Sequence, residues 1–516
     1  MRFFKPTLAD ALFVLLLLRV LQLGSVDLFN DPGTGWHLRT GGNIVAGGAV
    51  PVTDSYSYTR RGYDWVETQW LADVLMSVTH SLGGYPLLAL VTAVLIAGLF
   101  RWIYRRQVKA GGWPAIAILT TLAAVCAASI HFLARPLVAS SIGVPLSFWW
   151  ATQYARGRVS AKRLWLLVPI AAVWTNCHPG VLGGMVTVVI CGLGVLASAG
   201  LPFNGHRRGE LAHRGLLLLL AGAGMGAATL INPYGLDWHL WVLRLMKMKV
   251  LASYVNEWLP PSWAAPSTIA AALLVGVAVL GTIVRRKGTA LGEALVLGFW
   301  TVQGFSSVRH IPLLALIAAL QVGRVLAGAT VDWRALRRLG ARVPLFSAAI
   351  RDAEARTGGG LASVVAVCLL GLVAWSGMQI SAVGLHGAGP SADRFSRGAV
   401  ACLSSQRPGG PIFNDLTHGG TLIRELPDVA VFMDDRFGLY GEEFFLQYRD
   451  VVKYPDEFAE QVLSRWRIET VLIGTHLALC DWLADNEEWV EGYRDEIAAV
   501  FTRRDVALAV NDVPGE

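Results

Sequence analysis

The chain alternates between long apolar runs and short polar segments. Crossing about 30 Å of hydrocarbon takes roughly 20 mostly apolar residues, and eleven runs fit this pattern. They cover residues of about 8–26, 83–100, 114–133, 137–154, 164–176, 180–200, 215–231, 264–284, 289–306, 311–327 and 361–382. The run at 164–176 is short, which predicts an irregular segment at its end. The pattern therefore predicts a polytopic α-helical membrane protein.

The pattern changes after the last apolar run. Short apolar stretches ("PIFND", "VAVFMDD" and "IETVLIG") alternate with stretches of helical spacing ("EEFFLQYRDVVKY" and "DEFAEQVLSRW"). Short strands that alternate with helices are typical of a small α/β domain with some parallel strands. We therefore expect a transmembrane domain over 1–384, which includes a first outer loop at 27–69, and a small α/β domain over 385–516.

Charge supports this division and orients the chain. Only 16% of the residues are charged and the mean hydropathy is +0.49, whereas soluble domains have about 25% charged residues. With a cytoplasmic N-terminus, the inner segments hold 23 Lys and Arg residues and the outer loops hold 8. This positive-inside bias predicts a multi-pass protein of the cytoplasmic (inner) membrane, with 385–516 outside the cytoplasm. The net charge is +18 over 1–384 and −11 over 385–516, so the overall +7 does not indicate nucleic-acid binding.

The cysteines and candidate metal ligands do not indicate a specific disulfide or metal site. The six cysteines show neither CxxC nor Cys/His metal spacing. Cys402 and Cys480 fall in the outer region, where a disulfide is chemically allowed, and the sequence leaves open a pair or two free thiols. A first-loop acid together with Glu257 could bind one Mg²⁺ or Mn²⁺, but no ligand spacing argues for it, so no metal ligand or cofactor is assigned.

Every predicted outer turn carries ionisable or hydrogen-bonding side chains. Such groups are costly at the membrane boundary unless they face water or a partner. They are Asp31, His37, Asp54, Asp64 and Glu67 in the first loop, then His131, Arg135, Asn176, His178, Asn232, Tyr234, His239, Glu257, Arg309 and His310. We expect a water-accessible cavity at the outer leaflet, on which Asp31, Arg135, His178 and Arg309 converge.

Two arginines in this set stand out, because outer loops are poor in arginine. The guanidinium group binds phosphate through two parallel hydrogen bonds. Arg135 and Arg309, with His178 and His310 beside them, could therefore hold the phosphate of a lipid-linked donor. Alternatively, each arginine is an interfacial anchor or the partner of an acid such as Glu257.

The first outer loop has its own pattern. Pro32 and Gly33 predict a tight turn that holds the Asp31 carboxylate at the mouth of the first span. "TGWHLRTGGNIVAGG" predicts a short, weakly amphipathic helix along the membrane surface, with Trp36 at headgroup depth. "VPVTDSYSYT" predicts extended chain. Asp31 could act as a general base, and the simpler alternative is a turn or cap acid.

A second dense polar point is "FMDDRFGLYG" in the outer region. Asp434, Asp435 and Arg436 follow a predicted strand, where α/β proteins often place ligand sites. One interpretation is a strand-end turn tied by an Asp–Arg pair. The other is a binding site for an acceptor or glycan.

Ordered pieces of the chain resemble the GT-C superfamily of membrane glycosyltransferases, and especially its bacterial dolichyl-phosphate-mannose or RgtA-like branch. The resemblance covers nearly the whole chain. Its pieces are the first loop from Asp31 to "QWLA", then "LARPLVAS", "WTNCHPGVLGG", "LINPYG", "NEWLPPS", "SVRHIPLLAL" and "PIFNDLTHGGTLI" with "VFMDDRFGLYGEEFF". It implies a sugar transferred from a polyprenyl-phosphate donor to a lipid, glycan or protein acceptor at the outer face of the membrane.

The resemblance also implies a role for the first-loop acid. By matched position, Asp31 would serve as the base or organise the site. Better-studied members often have an Asp-Glu pair at this point, whereas this chain has Asp31-Pro32, so His37, Asp54 and Glu67 share the catalytic assignment. The sugar needs hydrogen bonds and aromatic faces, for which the candidates are Trp36, Asn176, Asn232, Tyr234 and Glu257.

Two other functions fit the same pattern. A transporter or flippase of a lipid-linked glycan would also need a polar site in the membrane, although no internal repeat of the transporter type is visible. A non-catalytic membrane scaffold for envelope glycan assembly would use the acidic outer region as its interaction module.

Overall fold

The structure is a computed structural model that describes residues 5–23, 27–110, 113–285, 290–326, 349–350, 353–354, 359–376 and 388–511. The chain divides into two compact units. The helical unit contains 1–23, 89–232 and 253–386, and the mixed unit contains 24–88, 233–252 and 387–516. The first outer loop thus folds together with the C-terminal region. The predicted boundary at 384/385 and most of the inner segment 324–356 lie outside the described residues.

Helices dominate both units. The α-helices are α1 (Leu8–Leu23), α2 (Thr34–Gly47), α3 (Trp70–Lys109), α4 (Pro114–Ala128), α5 (Leu137–Ala155), α6 (Ala161–Trp165), α7 (Leu167–Thr175), α8 (Val181–Ala199), α9 (Arg208–Ala228), α10 (Leu236–Lys247), α11 (Lys249–Tyr254), α12 (Pro266–Arg285), α13 (Ala290–Ser306), α14 (Ile311–Leu326), α15 (Leu361–Ser376), α16 (Arg397–Gln406), α17 (Leu416–Glu425), α18 (Phe437–Lys453), α19 (Pro455–Arg465), α20 (Ala478–Asp485) and α21 (Arg504–Asn511). The strands are β1 (Ile412–Asn414), β2 (Thr470–Gly474), β3 (Trp489–Arg494) and β4 (Ala498–Arg503).

Each of the eleven predicted apolar runs contains a helix, which confirms the polytopic helical fold. The short run 164–176 is divided between α6 and α7, and α7 ends at Thr175. Among the described residues, five helical stretches are long and apolar enough to cross a membrane by length and composition. The count of eleven spans stays a prediction.

Small residues and buried ion pairs join the helices of the helical unit. A Cβ atom placed on Gly194 of α8 would lie 2.4 Å from the Cα of Gly292 in α13, so these helices meet backbone to backbone, as small residues allow in membranes. Arg156, directly after the end of α5, donates to the Glu293 carboxylate of α13 at 2.7 and 2.8 Å. Such a pair satisfies two charges inside an otherwise apolar bundle.

The mixed unit is built on a four-stranded sheet of order β1-β2-β4-β3. β1 and β2 are parallel, and β4 pairs antiparallel with both β2 and β3. All five residues of β2 are buried, as its unbroken β-branched and apolar sequence requires. The prediction of a small α/β region with parallel strands is confirmed for β1 and β2.

The stretch "VAVFMDD" is not a strand of this sheet, so that part of the strand assignment is wrong. Val431 instead makes one isolated parallel bridge with Ser57 of the first loop. Its amide donates to the carbonyl of Tyr56 at 3.0 Å, and the amide of Tyr58 donates to its carbonyl at 3.2 Å. The bridge partner of Val431 lies far away in the sequence. A local pattern therefore could not show that Val431 pairs with Ser57 and not with a strand of the sheet.

Helix α2 forms where the first-loop pattern predicted it, and protein covers most of its first half, whereas Asn43 and residues 45–47 are exposed. A Cβ atom on Gly35 would lie 2.1 Å from the carbonyl oxygen of Gly420 in α17, and one on Gly420 would lie 2.0 Å from the carbonyl oxygen of Pro32. The glycines therefore let the two backbones touch. Trp36 is 5% exposed, so protein covers its indole ring, and its place at headgroup depth stays a prediction.

Candidate active site

Asp31 is held by a turn that its own carboxylate closes. The amide of Gly33 donates to Asp31 Oδ1 at 2.6 Å, as expected for the Asp-Pro-Gly sequence. The residue is 4% exposed and lines a small cavity of about 10 Å³ in the mixed unit, which is about the size of one water molecule's site. The same cavity is lined by Tyr85, Thr421 and Arg424, so a carboxylate, a phenol, a hydroxyl and a guanidinium group share one space.

Asp435 adds a second carboxylate next to this turn. A Cβ atom on Gly33 would lie 2.9 Å from Asp435 Oδ2 and 3.0 Å from Asp31 Oδ1, so both carboxylates face the same glycine. The indole Nε1 of Trp36 donates to Asp435 Oδ1 at 2.7 Å. The "MDDR" stretch that stood out in the sequence therefore contributes directly to the surroundings of Asp31.

Asp54, in contrast, belongs to a closed network. Its carboxylate accepts from the amide of Ser57 at 3.0 Å, from the Ser57 hydroxyl at 2.6 Å and from Arg436 at 2.7 Å. Arg436 also donates to both carboxylate oxygens of Asp434, at 2.6 and 2.8 Å, and its guanidinium lies 4.5 Å from the Trp65 ring centre. These buried contacts hold the first loop against the 434–436 turn.

His37 and Glu67 lie in a second buried polar group of the same unit. His37 Nδ1 contacts Asp73 Oδ1 at 2.6 Å. Burial raises the pKa of the Glu67 carboxyl to about 8, and the nearby Asp73 adds to the rise. The Tyr234 hydroxyl accepts from the Glu67 amide at 3.0 Å and donates to the carbonyl of Pro51 at 2.6 Å. Folding therefore favours the protonated form of the Glu67 carboxyl.

The predicted phosphate-binding arginines lie in the helical unit, and each has a protein partner. Arg135 donates to Glu257 Oε1 at 2.8 Å, and the Arg309 guanidinium lies 4.2 Å from the ring centre of Trp258. Burial opposes ionisation of Glu257, but the charges of Arg135 and its neighbours hold its pKa below the ordinary value. The alternative pairing with Glu257 is thus present for Arg135, and His310 follows Arg309 in the same 3-10 turn.

The other candidates in the helical unit stabilise turns. His178 Nδ1 accepts from the amide of Gly180 at 2.9 Å and contacts the Ser140 hydroxyl at 2.7 Å. Asn176 donates to the carbonyls of Ala172 and Ile231 at 2.7 and 2.8 Å. Asn232 donates to the carbonyl of Thr229 at 2.7 Å. These contacts fix the ends of α7 and α9 beside the predicted outer turns.

The structure brings together some of the predicted site residues and adds others. The mixed unit contains Asp31, Trp36, His37, Asp54, Asp64, Glu67, Tyr234 and His239, and the helical unit contains His131, Arg135, Asn176, His178, Asn232, Glu257, Arg309 and His310. The convergence of Asp31 with Arg135, His178 and Arg309 stays a prediction. Sequence reasoning missed Arg424 and Asp73, and the acid in the otherwise apolar start of α3 was the available signal for Asp73.

Within the described ranges, no group of three or more His, Cys, Asp and Glu side chains could hold a metal ion. Glu257, the expected partner of a first-loop acid in Mg²⁺ or Mn²⁺ binding, is paired with Arg135. Cys402 and Cys480 are free thiols.

Comparison with known proteins confirms the fold. No protein-family model and no curated protein sequence matches the chain. An oligosaccharyltransferase of Archaeoglobus fulgidus tethered with an acceptor peptide matches it with a TM-score of 0.54 at 10% identity, over 90% of this chain and 69% of the other. The same enzyme in complex with Zn and sulfate gives 0.50 at 10% identity, over 90% and 68%.

A second kind of transferase matches along nearly its whole length. ArnT from Cupriavidus metallidurans, bound to undecaprenyl phosphate, gives a TM-score of 0.51 at 14% identity, over 95% of this chain and 97% of ArnT. Both neighbours are membrane glycosyltransferases of the GT-C superfamily. The chain therefore shares the fold of these two membrane proteins, and its sequence indicated the same polytopic helical architecture.

Proposed function

We propose that the protein is a glycosyltransferase that moves a sugar from a polyprenyl-phosphate-linked donor to a lipid, glycan or protein acceptor. The observation that carries the proposal is the match over 95% of the chain to ArnT bound to undecaprenyl phosphate. The polar cavity lined by the buried Asp31 carboxylate is the proposed site of the reaction. The reaction takes place at the outer face of the cytoplasmic membrane, with the mixed unit outside the cytoplasm.

Asp31 is the general base of this reaction. Its carboxylate takes the proton from an acceptor hydroxyl or amine while the acceptor atom bonds to the anomeric carbon of the sugar. The bond between that carbon and the phosphate oxygen breaks, and polyprenyl phosphate leaves. The Gly33 amide fixes the carboxylate at 2.6 Å, and such positioning is part of what makes a general base effective.

The leaving phosphate needs cationic donors and the sugar needs polar and aromatic contacts. The donor-phosphate residues are Arg135, His178, Arg309 and His310, and the sugar and acceptor contacts are Trp36, Asn176, Asn232, Tyr234 and Glu257. Arg424 joins the acceptor side, because its guanidinium lines the Asp31 cavity. His37, Asp54 and Glu67 support Asp31 through the buried contacts of the mixed unit.

Deletion and complementation test this function in the cell. We expect mass spectrometry of envelope lipids and glycans to show one sugar modification lost on deletion and restored by the wild type. Asp64, an exposed acid of the same loop, supplies the matched control: Asp64→Asn restores the modification and Asp31→Asn does not. An unchanged glycan and lipid profile after deletion would contradict the function, and full restoration by Asp31→Asn would contradict the base assignment alone.

A further inference from the structure

The helical unit contains a second and larger cavity of about 510 Å³. It is lined by one face of α3, by Phe13 of α1, and by Gly360, Ser363 and Val364 at the start of α15. It shares no lining residue with the Asp31 cavity. The proposed transferase reaction gives it no role.

The lining of this cavity changes in character along α3. Val94 and Gly98 come first, and Arg101, Arg105 and Lys109 then follow at intervals of four residues. Residues spaced by four lie on one face of a helix. The cavity wall is therefore apolar at one end and cationic at the other, as a lipid molecule is apolar along its chains and charged at its headgroup.

One of these cations is neutralised by the protein, and the others leave an excess of positive charge. Asp10 of α1 accepts from Arg101 at 2.9 Å and from the Ser363 hydroxyl at 2.7 Å, which fixes the wall. The cavity lining of the described chain also includes Arg105, Arg106 and Lys109 but no Asp or Glu. A phosphate group would complement this charge.

Gly98 shows that the apolar end has free space. A Cβ atom on Gly98 would meet no heavy atom within 4 Å. The neighbouring walls are the hydrophobic side chains of Phe13, Val94 and Val364. A free phosphate ion would use only the cationic end, whereas an acyl chain would also fill this apolar end and remove it from water.

We propose that this cavity binds an anionic phospholipid, with the headgroup phosphate on Arg105 and Lys109 and the acyl chains along Phe13, Val94 and Val364. Segment 101–109 is one of the basic segments that predict the cytoplasmic side, where the leaflet carries anionic lipids. The ligand is therefore a lipid of the cytoplasmic leaflet, and its binding does not depend on the transferase activity.

Native mass spectrometry of the purified full chain in detergent, titrated with phosphatidylglycerol or phosphatidylcholine, tests the site. We expect tighter binding of phosphatidylglycerol, weakened about 30-fold by Arg105→Gln/Lys109→Gln, because each lost cation contributes on the order of a fivefold affinity. The matched control is Arg158→Gln/Lys162→Gln, which removes two exposed cations outside the cavity and should keep the wild-type affinity.

A variant that fills the cavity distinguishes lipid binding inside it from lipid binding to surface charge in general. Gly98→Phe keeps every cation and fills the open space, so we expect it to remove phosphatidylglycerol binding while the thermal unfolding temperature stays near the wild-type value. Equal binding of the two lipids, wild-type affinity in the double variant, or equal loss in the control pair would overturn the proposal. Displacement of phosphatidylglycerol by millimolar inorganic phosphate would overturn the lipid assignment and identify a simple anion site.

Discussion

Two aspartates of the first loop, 23 positions apart, have opposite surroundings. Asp54 is closed in by the Ser57 amide and hydroxyl and by Arg436. Asp31 is held by the Gly33 amide and lines a cavity together with Arg424. A carboxylate whose oxygens are committed to a buried cation stabilises the fold, whereas one that lines a polar cavity can exchange a proton with a substrate. Burial alone does not separate the two, because both residues are buried.

Mutations around Asp54 should lower the stability of the folded protein. Arg436→Met leaves Asp54 and Asp434 buried without their cation, which costs about 3–5 kcal/mol. We expect a large fall in the thermal unfolding temperature of the purified protein, measured by intrinsic fluorescence in detergent. Arg465→Met, at an exposed position of α19, is the matched control and should unfold like the wild type. If both variants lost the same stability, the network would not hold the loop.

The pH dependence of stability should report on Glu67. Because burial raises its pKa to about 8 in the folded protein, folding favours its protonated form. This contribution is fully present below about pH 4.5 and is lost as the pH rises through 8, with a slope approaching about 1.4 kcal/mol per pH unit. Glu67→Gln should flatten the decline of unfolding temperature between pH 5 and 8. Glu487→Gln, at an exposed position, should keep the wild-type slope, and a wild-type slope in Glu67→Gln would disprove the assignment.

A smaller loss is expected where Tyr234 meets the first loop. Tyr234→Phe removes the hydroxyl that accepts from the Glu67 amide and donates to the Pro51 carbonyl. Losing these two hydrogen bonds should cost about 1–3 kcal/mol and lower the unfolding temperature accordingly. Tyr63→Phe, at an exposed position of the same loop, provides the comparison. Equal unfolding temperatures for the two variants would show that the Tyr234 hydroxyl does not anchor the loop.

The parts of the fold that depend on local pattern could be predicted from sequence. Each apolar run contains a helix, because hydropathy over 20 residues already determines whether a segment suits a bilayer. The mixed unit depends on contacts between distant segments. The ion pair of Asp54 and Arg436 joins residues 382 positions apart, and Val431 pairs with Ser57. No spacing rule within a single segment predicts such partners.

The candidate site shows the same limit. The turn at Asp31 was predictable because Pro32 and Gly33 determine it locally. The burial of Trp36 was missed, since it depends on close contact between Gly35 and Gly420. Arg424 was missed as well. It lies near the end of an amphipathic helix, and the sequence does not show which cavity its side chain lines.

A paired measurement on one purified variant distinguishes a general-base role of Asp31 from a structural one. The sugar transfer rate from polyprenyl-phosphate-linked donors and the thermal unfolding temperature are measured on wild type and Asp31→Asn. We predict that transfer falls by about 10²- to 10⁴-fold while the unfolding temperature stays within a few degrees of the wild type. Wild-type transfer by a folded Asp31→Asn protein would show that Asp31 is not the general base.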